Sequence, residues 1–225
     1  PRGIGKATLA FRFARFVLSR DENSGGLFGD APESLYTDPE NPVFRRVASQ
    51  GHGDLMTLER RMNKDGKRLR GSIVIDEVRA AGRFLSLTEG EGGWRVLVID
   101  AADDLNTAAA NALLKTLEEP PRQTLVLLVC HSPGRLPATV RSRCCRLALC
   151  PLPLELTSEL LNRHTPGLSS EEAMALAYLG DGSIGRALRL AETGGLEIFA
   201  EIMSLLEKLP GTDISAVHRL GDRLA

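Results

Sequence analysis

The stretch that decides the fold is WRVLVIDAADDLNTAAANALLKTLEEPPRQTLVLLVC, residues 94–130. It opens on a continuous apolar run that ends in Asp100, the pattern of a parallel strand buried on both faces rather than one with a solvated side. A helical segment follows from Asn106 to Glu119, stopped by Pro120 and Pro121, which cannot continue it. TLVLLVC, 124–130, is then a second buried strand. Strand, helix and strand in this order predict a parallel sheet with right-handed crossovers.

Outward from this unit the same texture continues on both sides. Downstream, CRLAL (145–149) reads as a further strand; upstream, SIVIDEVRAAGRFLSLT gives a brief strand, Asp76 as an N-cap, and an amphipathic helix carrying Val78, Phe84 and Leu85. Asp54 to Leu58 reads as a strand and the basic run Arg60 to Arg70 as a solvated loop. Ser19 to Pro42 is polar and rich in Gly, Asp and Pro, a surface excursion. Lys6 to Leu18 has Leu9, Phe13, Phe16 and Val17 at helical spacing, so glycines lead directly into a helix. After Pro151, Leu152 and Pro153 only helical signals remain, with a break at Gly194 and Gly195. The expected domains are 1–151 for the α/β core, 152–193 for a small all-helical lid, and 194–225 for the start of a third helical unit.

The 225 residues carry 28 basic and 29 acidic side chains, a net charge of -1, and 43% are hydrophobic. That is apolar material enough for one large or two modest globular domains, and it provides no overall pull toward nucleic acid or membrane. Aromatics at 4% argue against a free-standing module that stacks bases. Four cysteines, Cys130, Cys144, Cys145 and Cys150, lack metal-ligand spacing and read as reduced core or sheet residues. No membrane span or signal peptide is visible, which points to the cytoplasm.

PRGIGKATLA, residues 1–10, approaches a phosphate-binding loop, G-x-x-x-x-G-K-[ST], in which backbone N–H groups cradle phosphates, Lys reaches the β/γ oxygens and a hydroxyl holds Mg²⁺. Gly3, Gly5 and Lys6 remain, and the first glycine would lie before Pro1, so the chain is expected to begin inside the motif. Ala7 stands where the hydroxyl belongs. Thr8 is one step along the helix, about 100° round, and should not reach the same ion. Asp100, 94 residues after Lys6, sits where a metal-binding carboxylate would close the site. Ala101 replaces the carboxylate that would polarise the attacking water. The pattern is a P-loop fold that has lost its chemistry.

AANALLKTLEEPP (109–121) and the Ser142, Arg143, Cys144 triplet together resemble the AAA+ clamp-loader family, from Pro1 to the end of the chain. The resemblance implies a RecA-like core, a helical lid and a collar that closes a five-subunit ring. It implies that Arg143 is an arginine finger acting in trans on a neighbour's ATP site. It also implies two lost sensors: Cys130 or His131 stands where a Thr or Asn ends the strand, and Gly185 stands where active motors carry an arginine, Arg186 coming one place late. No cysteine occurs between Ser19 and Arg70, so the zinc module of many relatives is expected to be absent, and His52 and Asp54 are read as a loop-to-strand boundary. Implied partners are the other ring subunits (gamma/tau and delta), the sliding clamp, and primer–template DNA held without sequence preference; no membrane and no required cofactor are implied. Without a full collar the chain is expected to be monomeric. The alternative is an active or weakly nucleotide-binding ATPase, in which Lys6 and Asp100 hold Mg-ATP and Thr8 or Asp103 substitutes for the lost groups.

Overall fold

The computed structural model describes residues 2–19, 34–63, 65–87, 93–209 and 214–224. The chain divides into two compact units, Gly5–Ala148 and Leu149–Ala225, the latter taking in the first four residues. Most of the expected surface excursion, 20–33, lies outside the described residues.

In Gly5–Ala148, helix α1 (Lys6–Leu18) and the short α2 (Pro42–Ala48) precede strand β1 (Leu55–Leu58). Then come α3 (Ile75–Leu85), β2 (Arg95–Asp100), a 3-10 turn at Ala102–Asp104, α4 (Thr107–Glu118), β3 (Thr124–Val129) and the single turn α5 (Ala138–Arg141). The three strands are parallel, in the order β1-β2-β3, with Leu58 opposite Ile99 and Asp100 opposite Val129. The core α/β class expected from residues 94–130 is the one observed.

Strand alternation sorts the core into two layers. Val96 and Val98 pack with Ala14, Leu18 and Val47 from α1 and α2. Leu97 and Ile99 face the other way, onto Val78, Ala81 and Leu85 of α3 and Ala109, Ala110 and Leu113 of α4. Covering both faces of β2 is what its unbroken apolar run requires. At its start Arg95 is buried, its Nη2 lying 3.5 Å from Asp54 Oδ1 while its Nη1 donates to the Phe84 carbonyl at 2.6 Å. His52 Nδ1 accepts the Asp54 N–H at 3.1 Å, so both residues tie the entry of β1.

Five readings of the sequence change. The buried face of α1 runs through Ala10, Phe11, Ala14, Val17 and Leu18 rather than Leu9, Phe13 and Phe16, because it is the small Ala14 that lets the helix approach the sheet. Asp76 is not the cap of α3. Val74 holds that position, and the Glu77 side chain reaches back to accept its N–H at 2.9 Å, leaving Asp76 in the exposed first turn. The brief strand before α3 shrinks to a parallel bridge between Ile73 and Leu105. Residues 145–149 form no strand. A strand exists only by pairing with a neighbour's N–H and C=O groups, the described sheet stops at β3, and Leu147 is 75% exposed.

The run from Arg60 to Arg70 is likewise more ordered than a solvated loop. Met62 and Leu69 form an antiparallel bridge, Asn63 donates to the Arg68 carbonyl at 2.7 Å, and Arg70 donates to the Arg61 carbonyl at 2.8 Å. Gly66, at φ +65°, makes the turn.

The second unit is helical: α6 (Leu154–His164), α7 (Ser170–Gly180), α8 (Ile184–Glu192), α9 (Gly195–Glu207) and α10 (Ile214–Leu224). Leu161, Ala173, Leu176, Ala177 and Ala187 form its buried centre. Ser169 and Glu172 exchange hydrogen bonds as a capping box at the start of α7. At Gly180 a Cβ would come within 2.8 Å of the Ala187 Cβ, so glycine is what permits α7 and α8 to approach. Among the described residues no helix is long and apolar enough to cross a membrane.

Candidate functional site

Parallel strands all end on one edge of the sheet, and it is there that the chemistry-bearing residues of the first unit collect. Asp100 ends β2, and Lys6, in the first turn of α1, is near enough for its charge to act on the Asp100 carboxyl. His131, just beyond β3, donates its backbone N–H to Asp103 Oδ1 at 2.8 Å and places Nε2 4.0 Å from Asp100 Oδ1. Ala101, the residue after Asp100, is 6% exposed, so the position after Asp100 carries a buried methyl group.

Electrostatics separate the acids. Burial pushes the Asp100 carboxyl above its usual range, and the charges of His131 and Lys6 only partly offset this. Burial also acts to raise Asp103, but the backbone donors from His131 and from its own residue hold that carboxyl below the usual range. The Cys130 thiol is pushed up by burial and by the nearby Asp103 charge, so it stays protonated and a poor nucleophile. The edge therefore holds a lysine and an acid that could meet a polyphosphate and its cation, without a carboxylate after Asp100 to activate water.

The raised Asp100 value has a consequence for stability. A carboxyl whose folded pKa exceeds its unfolded one contributes stability that is present below the unfolded value and lost as pH rises through the folded one. Asp100→Asn is therefore expected to raise the melting temperature near pH 7. The gain should shrink as pH falls below about 4, where the aspartate is protonated in both states. Melting curves across pH check this; a gain that persists at pH 3 would contradict it.

Of the other predicted residues, Gly5 is in the left-handed conformation at φ +90° as the N-cap of α1, and Thr8 is exposed, with no hydrogen bond to Asp100 among the described residues. Gly3 sits in the other unit at φ +77°, where its carbonyl accepts the Gly185 N–H at 2.9 Å and the Arg2 carbonyl accepts the Ser183 hydroxyl at 2.8 Å. A Cβ at Gly185 would lie 3.0 Å from the Gly3 Cα. A side chain at 185 would thus crowd Gly3 in this place, and the neighbouring Arg186 is exposed on α8.

Arg143 follows α5 and is held from several sides. Its Nε donates to Glu118 Oε1 at 2.7 Å, with Nη2 2.5 Å from the same oxygen, and its Nη1 donates to the Thr139 carbonyl at 2.9 Å and the Ser142 hydroxyl at 3.3 Å. The side chain remains 35% exposed. Glu118 is the residue that sequence reading left without a role. It stands inside the quoted 109–121 motif, but the 25 positions to Arg143 hide the contact, and only the packing of α4 beside α5 brings the two together.

Residues 1–153 match the family described as DNA polymerase III, delta subunit. The chain is 34% identical over 217 residues to DNA polymerase III subunit delta' of Pseudomonas aeruginosa, an alignment that takes in 96% of this chain and 61% of that protein. It is 38% identical over 188 residues to the Escherichia coli subunit of the same name, 84% of this chain and 51% of that one. Escherichia coli DNA polymerase III subunit tau is 35% identical over 122 residues, 52% of this chain and 19% of that protein. The chain thus spans 61% and 51% of the length of these two delta' proteins.

Proposed function

Because the chain belongs to the DNA polymerase III delta-subunit family, we propose that it works as a delta-prime-type subunit of a clamp loader. In this reading it hydrolyses no ATP of its own and lends Arg143 to the ATP site of an adjoining subunit. Its partners are the gamma/tau and delta subunits, the sliding clamp and primer–template DNA, in the cytoplasm. The observation that carries the reading is the state of Arg143: a permanently charged, planar group, oriented by Glu118, Thr139 and Ser142 yet still partly exposed. Such a group is suited to neutralise the charge that spreads over a transferring phosphoryl group.

The chain's own site supports the same division of labour. Ala7 offers no oxygen to a magnesium ion, and the buried Ala101 offers none to a nucleophilic water. The Lys6 charge acting on Asp100 favours a second, narrower reading, weak nucleotide binding without turnover, since a cation and an acid remain near each other at the end of β2. Titration with a fluorescent ATP analogue and Mg²⁺, followed by steady-state phosphate release, separates these readings. Phosphate release by the chain alone, abolished by Lys6→Ala, would overturn the proposal. Binding without release, lost in the same variant, would support the narrower one.

Glu118 supplies a graded test. The pair with Arg143 is half exposed and should be worth about as much as other surface ion pairs, up to 1 kcal/mol. Glu118→Ala is expected to lower the neighbour's turnover by about two- to fivefold, with KM for ATP unchanged, because it loosens the guanidinium without removing it. A loss as large as that of Arg143→Ala would mean that Glu118 does more than orient.

A further inference from the structure

Residues 60–70 hold six basic side chains and one acidic one, a net of +5 in a chain whose total is -1, which leaves the other 214 residues at -6. Charge this concentrated opposes itself: two like charges 8 Å apart in water repel by about 0.5 kcal/mol. The described residues of the run, 60–63 and 65–70, are drawn together as a hairpin rather than a spread loop. From this we propose that the hairpin is a docking surface for the phosphate backbone of a nucleic acid.

The hairpin divides into a neutralised stem and an unneutralised tip. In the stem, Arg60 Nε lies 2.9 Å from Asp104 Oδ2, and Arg61 Nε and Arg70 Nη1 lie 3.4 and 3.7 Å from Glu77 Oε1. Glu77 and Asp104 are 8% and 11% exposed, so two largely buried carboxylates anchor three arginines to α3 and to the turn after β2. At the tip, Lys67 and Arg68 are exposed, and among the described residues no carboxylate pairs with either. Arg61 is itself 63% exposed, which leaves part of its donor fork open.

The bridge between Met62 and Leu69 fixes which residues share a face. Alternation puts Arg61, Arg68 and Arg70 together, with Met62 and Leu69 opposite. Arg68 and Arg70 are two residues apart along one strand, about 7 Å. Because Glu77 engages Arg61 and Arg70, it is the exposed Arg68 fork, with the exposed Lys67 ammonium next to it on the backbone-paired support, that is presented to anionic oxygens. No base-stacking aromatic residue lies in 60–70, so contact would be to phosphates and without sequence preference. The inference deepens the proposed function by giving its DNA partner a place on this chain, and its support is the hairpin's own charge and geometry.

The test uses the full chain and a fluorescein-labelled primer–template duplex, followed by anisotropy at several salt concentrations. The variant is Lys67→Glu with Arg68→Glu; both sites are exposed, and an unchanged circular dichroism spectrum shows that the fold is kept. Two phosphate contacts correspond to a slope of about 2 in log K against log salt, so the variant is expected to bind about tenfold more weakly at 50 mM salt and with a slope shallower by about 2. Equal affinity and slope would overturn the proposal, as would wild-type protein that fails to bind the duplex at 50 mM salt. Binding to vesicles containing anionic lipid but not to the duplex would reassign the hairpin to a membrane surface and also overturn it. Arg143→Ala should bind the duplex as wild type does, so loss of the finger reading and loss of the hairpin reading register in different assays.

Discussion

Replacing Arg143 with alanine is expected to leave this chain folded and to lower the ATP turnover of an adjoining subunit by about 10³- to 10⁵-fold, the range known for fingers supplied in trans. The folding half of the expectation follows from exposure. Arg143 is 35% exposed and its main partner Glu118 is 48% exposed, so the variant leaves behind a carboxylate that water can solvate. The Thr139 carbonyl and Ser142 hydroxyl, both on exposed residues, are equally open to water. The turnover half rests on the proposed trans role of Arg143 and on its charge. Only an interaction stronger in the transition state than in the ground state accelerates the chemistry, and a guanidinium aimed at developing negative charge is such an interaction. The measurement is phosphate release by the assembled complex, with kcat and KM separated. A fall confined to kcat is the expected signature. Unchanged turnover in a complex that still assembles would remove the finger, and with it the main support for a trans role. Arg143→Lys discriminates further: it keeps the charge but not the planar fork, and should recover only a small part of the lost rate.

How much could be read in advance depended on the range of the interactions involved. The fold class followed from residues 94–130, because an unbroken apolar strand and an amphipathic helix are local patterns with a single structural solution. Helix α1 was legible in its bounds, Lys6–Leu18, but not in its buried face, which is decided by the small Ala14 against the sheet rather than by the phenylalanines. The strand at 145–149 failed for the opposite reason. Its composition suits a strand, but pairing is a property of a neighbour, and no neighbour can be read from five residues. The cap of α3 was misplaced by two residues because Glu77, not Asp76, turns back onto the chain. Lys6, Asp100 and Arg143 are candidates that motifs alone single out. The contacts that position them, Asp103 with His131 and Glu118 with Arg143, cross 28 and 25 residues and carry no local signal. The hairpin at 60–70 was legible as charge and illegible as structure, since its order rests on Glu77 and Asp104 farther along the chain.

The second large effect concerns the support on which the sheet edge rests. Leu97→Ala is expected to destabilise the Gly5–Ala148 unit by about 2–5 kcal/mol. Leu97 is wholly buried, stands in the central strand opposite Met56 on β1 and Val126 on β3, and belongs to the layer closed by α3 and α4. Removing its branched end leaves a cavity between a sheet and two helices, and backbone pairing on both sides of β2 prevents the strand from moving to fill it. Trp94, the chain's only tryptophan, precedes β2 and reports unfolding of this unit by its fluorescence. A loss of about 3 kcal/mol should appear as a drop of roughly 6–12 °C in the midpoint of that transition. Leu147→Ala is the matched comparison, the same deletion at a residue 75% exposed, and it should move the midpoint by less than 0.5 kcal/mol's worth, about 1–2 °C. Equal effects at the two sites would mean that 145–149 packs as a strand after all, against a neighbour that the described sheet does not contain. A large effect at Leu97 alone would place the rigidity of the Asp100 edge in β2 and its two flanking layers, with Leu147 contributing little to it.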